Sequence, residues 1–133
     1  MNQAKAQTRP VSVAVLVAVV ALTLFTAGCH LYLGLNGLRR PLNIFTVLFI
    51  LNGLGYLALL AALMLPIPQL SGYRPLLRWG LLGFAALTVV VWAALVITIH
   101  FGAIPLAYVT KVVELTLIGV LWFGGGGFSR QVA

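Results

Sequence analysis

Four apolar runs dominate this chain, each long enough to cross a hydrocarbon core of about 30 Å at a helical rise of about 1.5 Å per residue. They extend over residues 11–35, 42–65, 76–100 and 105–123, and away from their ends they hold only two formal charges, Lys111 and Glu114. A soluble domain needs roughly 25% charged residues to face water. Here charged residues make up 7% of the chain and hydrophobic ones 62%, with a single acid. The pattern implies an integral membrane protein of one membrane domain. It excludes a soluble enzyme, a disordered chain, a disulfide scaffold (Cys29 is the only cysteine) and a further sizeable aqueous domain within this sequence.

The separators between the runs are helix breakers. Residues 36–41 (Asn-Gly-Leu-Arg-Arg-Pro) supply a turn and a proline suited to a helix start, and residues 66–75 contain three prolines. Residues 101–105 form the tightest connection, and four glycines at 124–127 end the last run. None of the runs alternates with a two-residue period, so a β-barrel is excluded. The expected fold is an all-α transmembrane four-helix bundle of antiparallel up-down topology, with flexible tails over 1–9 and 124–133.

The net charge of +7 does not indicate nucleic acid, because the basic residues stand singly or in pairs between apolar runs. They read as topology markers. Lys5, Arg9, Arg74, Arg78 and Arg130 fall on one side of such a bundle, and Arg39 and Arg40 on the other. The positive-inside bias places both termini in the cytoplasm of a multi-pass cell-membrane protein. Residues 26–29 (Thr-Ala-Gly-Cys) resemble a lipoprotein cleavage site, but Thr26 stands where such sites prefer leucine. The segment is therefore expected to be retained, with Cys29 as a small apolar filler.

Helix association in lipid depends on close packing and interhelical hydrogen bonds. The stripe Ala14, Ala18, Ala21, Phe25 and Gly28 on the first run is expected to provide such packing. So are Gly53 and Gly55 on the second run and Gly80 and Gly83 on the third.

Polar groups inside a membrane are costly and normally face protein or water. Lys111 and Glu114 lie about 9 Å and about 14 Å from a helix start at Pro105, and at i and i+3 they can pair. His30 shares a helix face with Thr23, Thr26 and Gly34, while Asn52 and Tyr56 form an i, i+4 pair on the second run. Thr88, Trp92 and Val96 make a stripe leading to His100. His30, Asn52, Tyr56, His100, Lys111 and Glu114 fall in the outer half of the expected bilayer, whereas the inner half is nearly pure hydrocarbon. His30, Asn52, Tyr56, Lys111 and Glu114 therefore form the candidate polar intramembrane site, either an outward-opening pocket or a docking surface.

Two histidines on separate helices also raise ligation of haem or chlorin by His30 and His100, although their expected depths differ by roughly 8 Å. Two histidines and one glutamate fall short of a metal motif, since no two of them stand at i, i+4 on one helix. No phosphate loop, nucleophile elbow or Ser/His/Asp set is present, so no catalytic residue is assigned.

The fragments His30-Leu31-Tyr32-Leu33-Gly34, Asn52-Gly53-Leu54-Gly55-Tyr56 and Tyr108-Val109-Thr110-Lys111-Val112-Val113-Glu114 carry a resemblance to small four-span proteins of unknown function from bacterial and archaeal membranes. The chain also resembles the DoxX-like four-helix membrane proteins, in size but not in charge pattern. These resemblances imply a four-span bundle and no particular chemistry. Three functions stay open. One is a non-catalytic accessory or assembly subunit, bound to other membrane subunits or to itself. The others are a haem or chlorin carrier using His30 and His100, and a small proton-coupled transporter or channel centred on Glu114.

Overall fold

A computed structural model describes residues 11–129 of the chain. The expected tail over 1–9, and the charges Lys5, Arg9 and Arg130 used for orientation, lie outside the described residues. Four helices follow one another, α1 (Val13–Gly37), α2 (Ile44–Met64), α3 (Arg74–Ile99) and α4 (Pro105–Gly124). Each is long and apolar enough to cross a membrane. No strand occurs among the described residues.

The helix ends follow from local chemistry. Ser12 Oγ accepts the Val15 amide at 3.2 Å, and Asn43 Oδ1 accepts that of Thr46 at 3.0 Å, so both side chains act as N-caps. The Asn43 cap starts α2 two residues after the expected position 42. Pro75 and Pro105 occupy the first turns of α3 and α4, where a missing N–H costs nothing. A 3₁₀ turn over Pro68–Tyr73 leads into α3.

The helices close into a ring, α1 packing on α2 and α4, and α3 on the same two neighbours. The tightest seam joins α1 to α2. A Cβ added at Gly34 would stand 2.6 Å from Ile50 Cγ1, and one at Gly53 would stand 2.6 Å from Leu31 Cγ and 3.0 Å from the Ala27 carbonyl. Across α2 and α3, Phe84 covers Gly55, and Leu59 reaches Gly80.

The small-residue stripe of α1 does not make this seam. Ala14, Ala21, Phe25 and Gly28 face outward, and a Cβ at Gly28 would meet nothing within 4 Å. Val19, Thr23, Thr26, Ala27, His30 and Gly34 are buried instead. The reason is the solvent. Turning alanines toward lipid loses nothing polar, whereas turning Thr26 and His30 outward would leave hydrogen-bonding groups in hydrocarbon.

The glycines after α4 also differ from a tail. Gly125–Ser129 form a 3₁₀ turn and Phe128 is buried in the core with Leu63, Leu81, Leu117 and Leu121. Gly125 sits where a Cβ would come within 2.6 Å of Arg78 Nε, and a Cβ at Gly124 would press on Val15. Arg78 is itself buried; its Nη1 donates to the Gly125 carbonyl at 2.8 Å and its guanidinium lies 4.6 Å from the Trp79 ring centroid. Read from sequence as a surface topology marker, Arg78 instead ties α3 to the turn after α4.

Valine at Gly34 or Gly53 is expected to destabilise the protein by about 1–3 kcal/mol through overpacking. Gly28→Val should be close to neutral. Denaturation in detergent, followed by circular dichroism, checks this; equal losses at all three positions would contradict the α1–α2 seam.

Candidate functional site

Glu114 is fully buried and collects side chains from the whole ring. Thr26 Oγ1 on α1 donates to its Oε1 at 2.9 Å, and Tyr56 Oη on α2 donates to the same oxygen at 3.0 Å. Lys111 Nζ, one turn earlier on α4, pairs with Oε2. Tyr56 Oη also lies 2.9 Å from Thr88 Oγ1 on α3, so the fourth helix joins through the phenol. With one proton on Tyr56 and that proton given to Glu114, Thr88 is the group able to donate to the phenol oxygen. Thr88 Oγ1 also lies 2.8 Å from the Ala85 carbonyl, an alternative acceptor for its proton.

His30 completes the cluster. Its Nδ1 lies 2.8 Å from the Thr26 carbonyl, which can only accept, so Nδ1 carries the hydrogen. That leaves Nε2 directed at Glu114 Oε1, 3.8 Å away. The ring packs between Phe49 and Tyr56, at centroid distances of 6.0 and 5.8 Å. Helical spacing explains the local arrangement: Thr26 and His30 stand at i and i+4, as Lys111 and Glu114 stand at i and i+3.

Beside this cluster lies a half-open cavity of about 470 Å³. Its wall takes residues from all four helices, with α2 and α3 contributing the most. The two helices meet at Gly55 and Phe84 and at Tyr56 and Thr88, whereas toward Asn43 and Ile99 both contribute to the cavity wall. Phe45 stacks on Phe101 at 3.9 Å and, with Phe49, closes the end next to the connections. Leu48, Leu51, Leu87 and Val91 line the cavity yet are 46–58% exposed, so they form a sideways mouth between α2 and α3. The polar groups on its wall include His30, Asn52, Thr88 and Lys111.

The structure thus joins Tyr56, Lys111 and Glu114 by hydrogen bonds, packs His30 against them, and sets Asn52 on the adjoining cavity. Thr26 and Thr88 belong to the same network. The sequence showed Thr26 on the His30 face and Thr88 in a stripe on α3, but spacing within one helix cannot reveal a partner on another.

His100 stands apart. It is exposed, is not part of the cavity wall, and ends α3 in the left-handed conformation, φ 54°. Its amide caps the helix by donating to the Val96 carbonyl at 3.1 Å. Among the described residues no three His, Cys, Asp or Glu side chains gather as metal ligands.

Two outcomes follow from this geometry. Lys111→Met leaves the Glu114 charge buried without its partner and should destabilise the protein by about 3–5 kcal/mol, most of which Lys111→Met with Glu114→Gln should restore. Equal losses in the single and double variants would show that the ion pair does not matter. His100→Gly relieves a left-handed backbone costing roughly 1–2 kcal/mol and should leave stability unchanged or improved in the same denaturation assay. Set against known proteins, the chain matches no family model, no curated protein and no solved structure.

Proposed function

We propose that this is a non-catalytic membrane binding protein that takes a lipid-soluble small molecule from the bilayer into the cavity between α2 and α3. The observation that carries this reading is the sideways mouth. A cavity bounded by exposed leucines and a valine is reached through hydrocarbon, and apolar ligand sites of this kind typically measure about 300–1,000 Å³ with a few polar groups placed on their walls. In this reading the helices run antiparallel with both termini in the cytoplasm. The contacts of Gly34 with Ile50 and of Gly53 with Ala27 and Leu31 support that arrangement, and so does the excess of lysine and arginine on the terminal side. The cavity then lies in the outer half of the membrane. The Glu114 cluster fixes the position of its polar wall by tying one side chain from each helix to a common point.

A second reading, association with other membrane subunits or a second copy, draws on the outward face of α1. Ala14, Ala21 and Gly28 there permit close approach of another helix. The two readings are compatible, since that face and the cavity mouth use different helices.

Extraction in mild detergent followed by mass spectrometry of bound small molecules tests the binding reading. The protein is expected to retain an apolar compound in a fixed ratio to the chain, and Val91→Trp, which fills the mouth, is expected to release it without loss of helicity. Recovery of bulk phospholipid alone, in equal amounts from both proteins, would overturn the reading.

A further inference from the structure

We infer that the molecule the cavity suits is a neutral planar ring bearing hydrogen-bond-accepting oxygens, of the quinone class. Its oxygens would lie at Lys111 and Asn52, its ring among the cavity's aromatic side chains, and any tail between α2 and α3. This inference rests on the binding reading above and adds the chemistry of the ligand to it.

Three observations select this chemistry. The first is the supply of free donors. Most polar groups on the cavity wall are already committed: Trp92 Nε1 donates to the Gly102 carbonyl at 3.1 Å, and Thr110 Oγ1 donates to that of Leu106 at 2.8 Å. Lys111 Nζ carries three N–H groups and spends one on Glu114. The Asn52 side chain makes no hydrogen bond, so its Nδ2 is an unspent donor, whereas its Oδ1, buried without a partner, is an acceptor that a ligand's carbonyl oxygen does not satisfy. Unspent donors on an apolar wall, the Asn52 Nδ2 and the remaining Lys111 N–H groups, favour a ligand that brings acceptor atoms to them.

The second observation is charge. The Lys111 ammonium is matched by the Glu114 carboxylate inside the bundle. A neutral acceptor uses the spare Lys111 protons and leaves that balance intact. A fatty-acid carboxylate or a phosphate would add a second negative charge beside Glu114, at a cost that grows in a low-dielectric site. The third observation is shape. Phe45, Phe49, Phe84, Trp92 and Phe101 all line the cavity, presenting flat faces and edges against which a planar ring stacks. A saturated chain gains no comparable advantage from aromatic walls.

The test uses the full chain in phosphatidylcholine nanodiscs with Trp79→Phe and Trp122→Phe, so that Trp92 on the cavity wall is the remaining tryptophan of three. Decylubiquinone, anthracene and palmitate are titrated separately while Trp92 fluorescence is followed, with circular dichroism recorded for every variant. Decylubiquinone is expected to quench saturably at low mole fractions in the lipid, and palmitate to leave the emission unchanged. Asn52→Leu is expected to weaken the decylubiquinone interaction about tenfold, the order set by one lost buried hydrogen bond. Lys111→Met combined with Glu114→Gln removes both charges together and is expected to weaken it similarly.

Anthracene binding as tightly as decylubiquinone, with no effect of Asn52→Leu, would overturn the inference about ring oxygens while leaving a ligand cavity in place. A saturable change in Trp92 emission with palmitate, at lower mole fractions than with decylubiquinone, would overturn it in favour of an anionic lipid. Quenching by decylubiquinone that rises linearly without saturation, and equally in Val91→Phe, which narrows the mouth without adding a tryptophan, would mean collision from the bilayer and would remove the inference together with the binding reading.

Discussion

The Glu114 carboxylate is the interaction on which the rest of the bundle depends. It lies fully buried on α4, accepts hydrogen bonds from α1 and α2, reaches α3 through Tyr56, and is neutralised by Lys111 from its own helix. In hydrocarbon no water is available to solvate such a group, so the ring of helices must present its donors at one level. This sets the register of all four helices at once. Apolar packing in lipid is nearly non-directional and would tolerate sliding, whereas a carboxylate with three donors does not.

The cluster also divides the bundle into two different ends. On the side of the Arg78 and Gly125 contact, Leu60, Leu63, Leu81, Leu117 and Leu121 pack with Phe128 in the buried core. On the other side, aromatic side chains from α2 and α3 line a cavity instead of filling it. The polar groups sit at the boundary, where some of their capacity is satisfied within the protein and some faces the open space. A cavity wall built in this way is positioned by helices and held by hydrogen bonds made within the protein. The cost of burying Glu114 and Lys111 is thereby connected to the shape of the cavity wall.

Much of the candidate site was legible in the sequence because membrane chains have few polar residues to choose among. His30, Tyr56, Lys111 and Glu114 stood out as expensive, and their common depth followed from counting turns. Thr26 and Thr88 were visible as polar positions on their helices, yet threonine is tolerated in lipid when its hydroxyl bonds back to its own helix, as Thr98 and Thr116 do here. Only contact with another helix separates the two uses. The α1 stripe shows the opposite case. Its spacing fitted a packing face, and the structure turned it to the outside because Thr26 and His30 had stronger reasons to face inward.

The sequence by itself determined the solvent, the number of spans and the positions where helices stop, since these follow from run length, prolines, caps and the cost of charge in hydrocarbon. It also singled out the few polar residues that are costly in hydrocarbon. Tertiary structure decided which helix faces meet, that Arg78 and the 124–127 glycines form a packed joint, that His100 serves as a helix end away from the cavity, and that a space remains between α2 and α3. Those outcomes depend on the relative rotation and separation of helices. A one-dimensional pattern encodes the faces available on each helix, but the choice among them is made by the sum of all contacts in the closed ring.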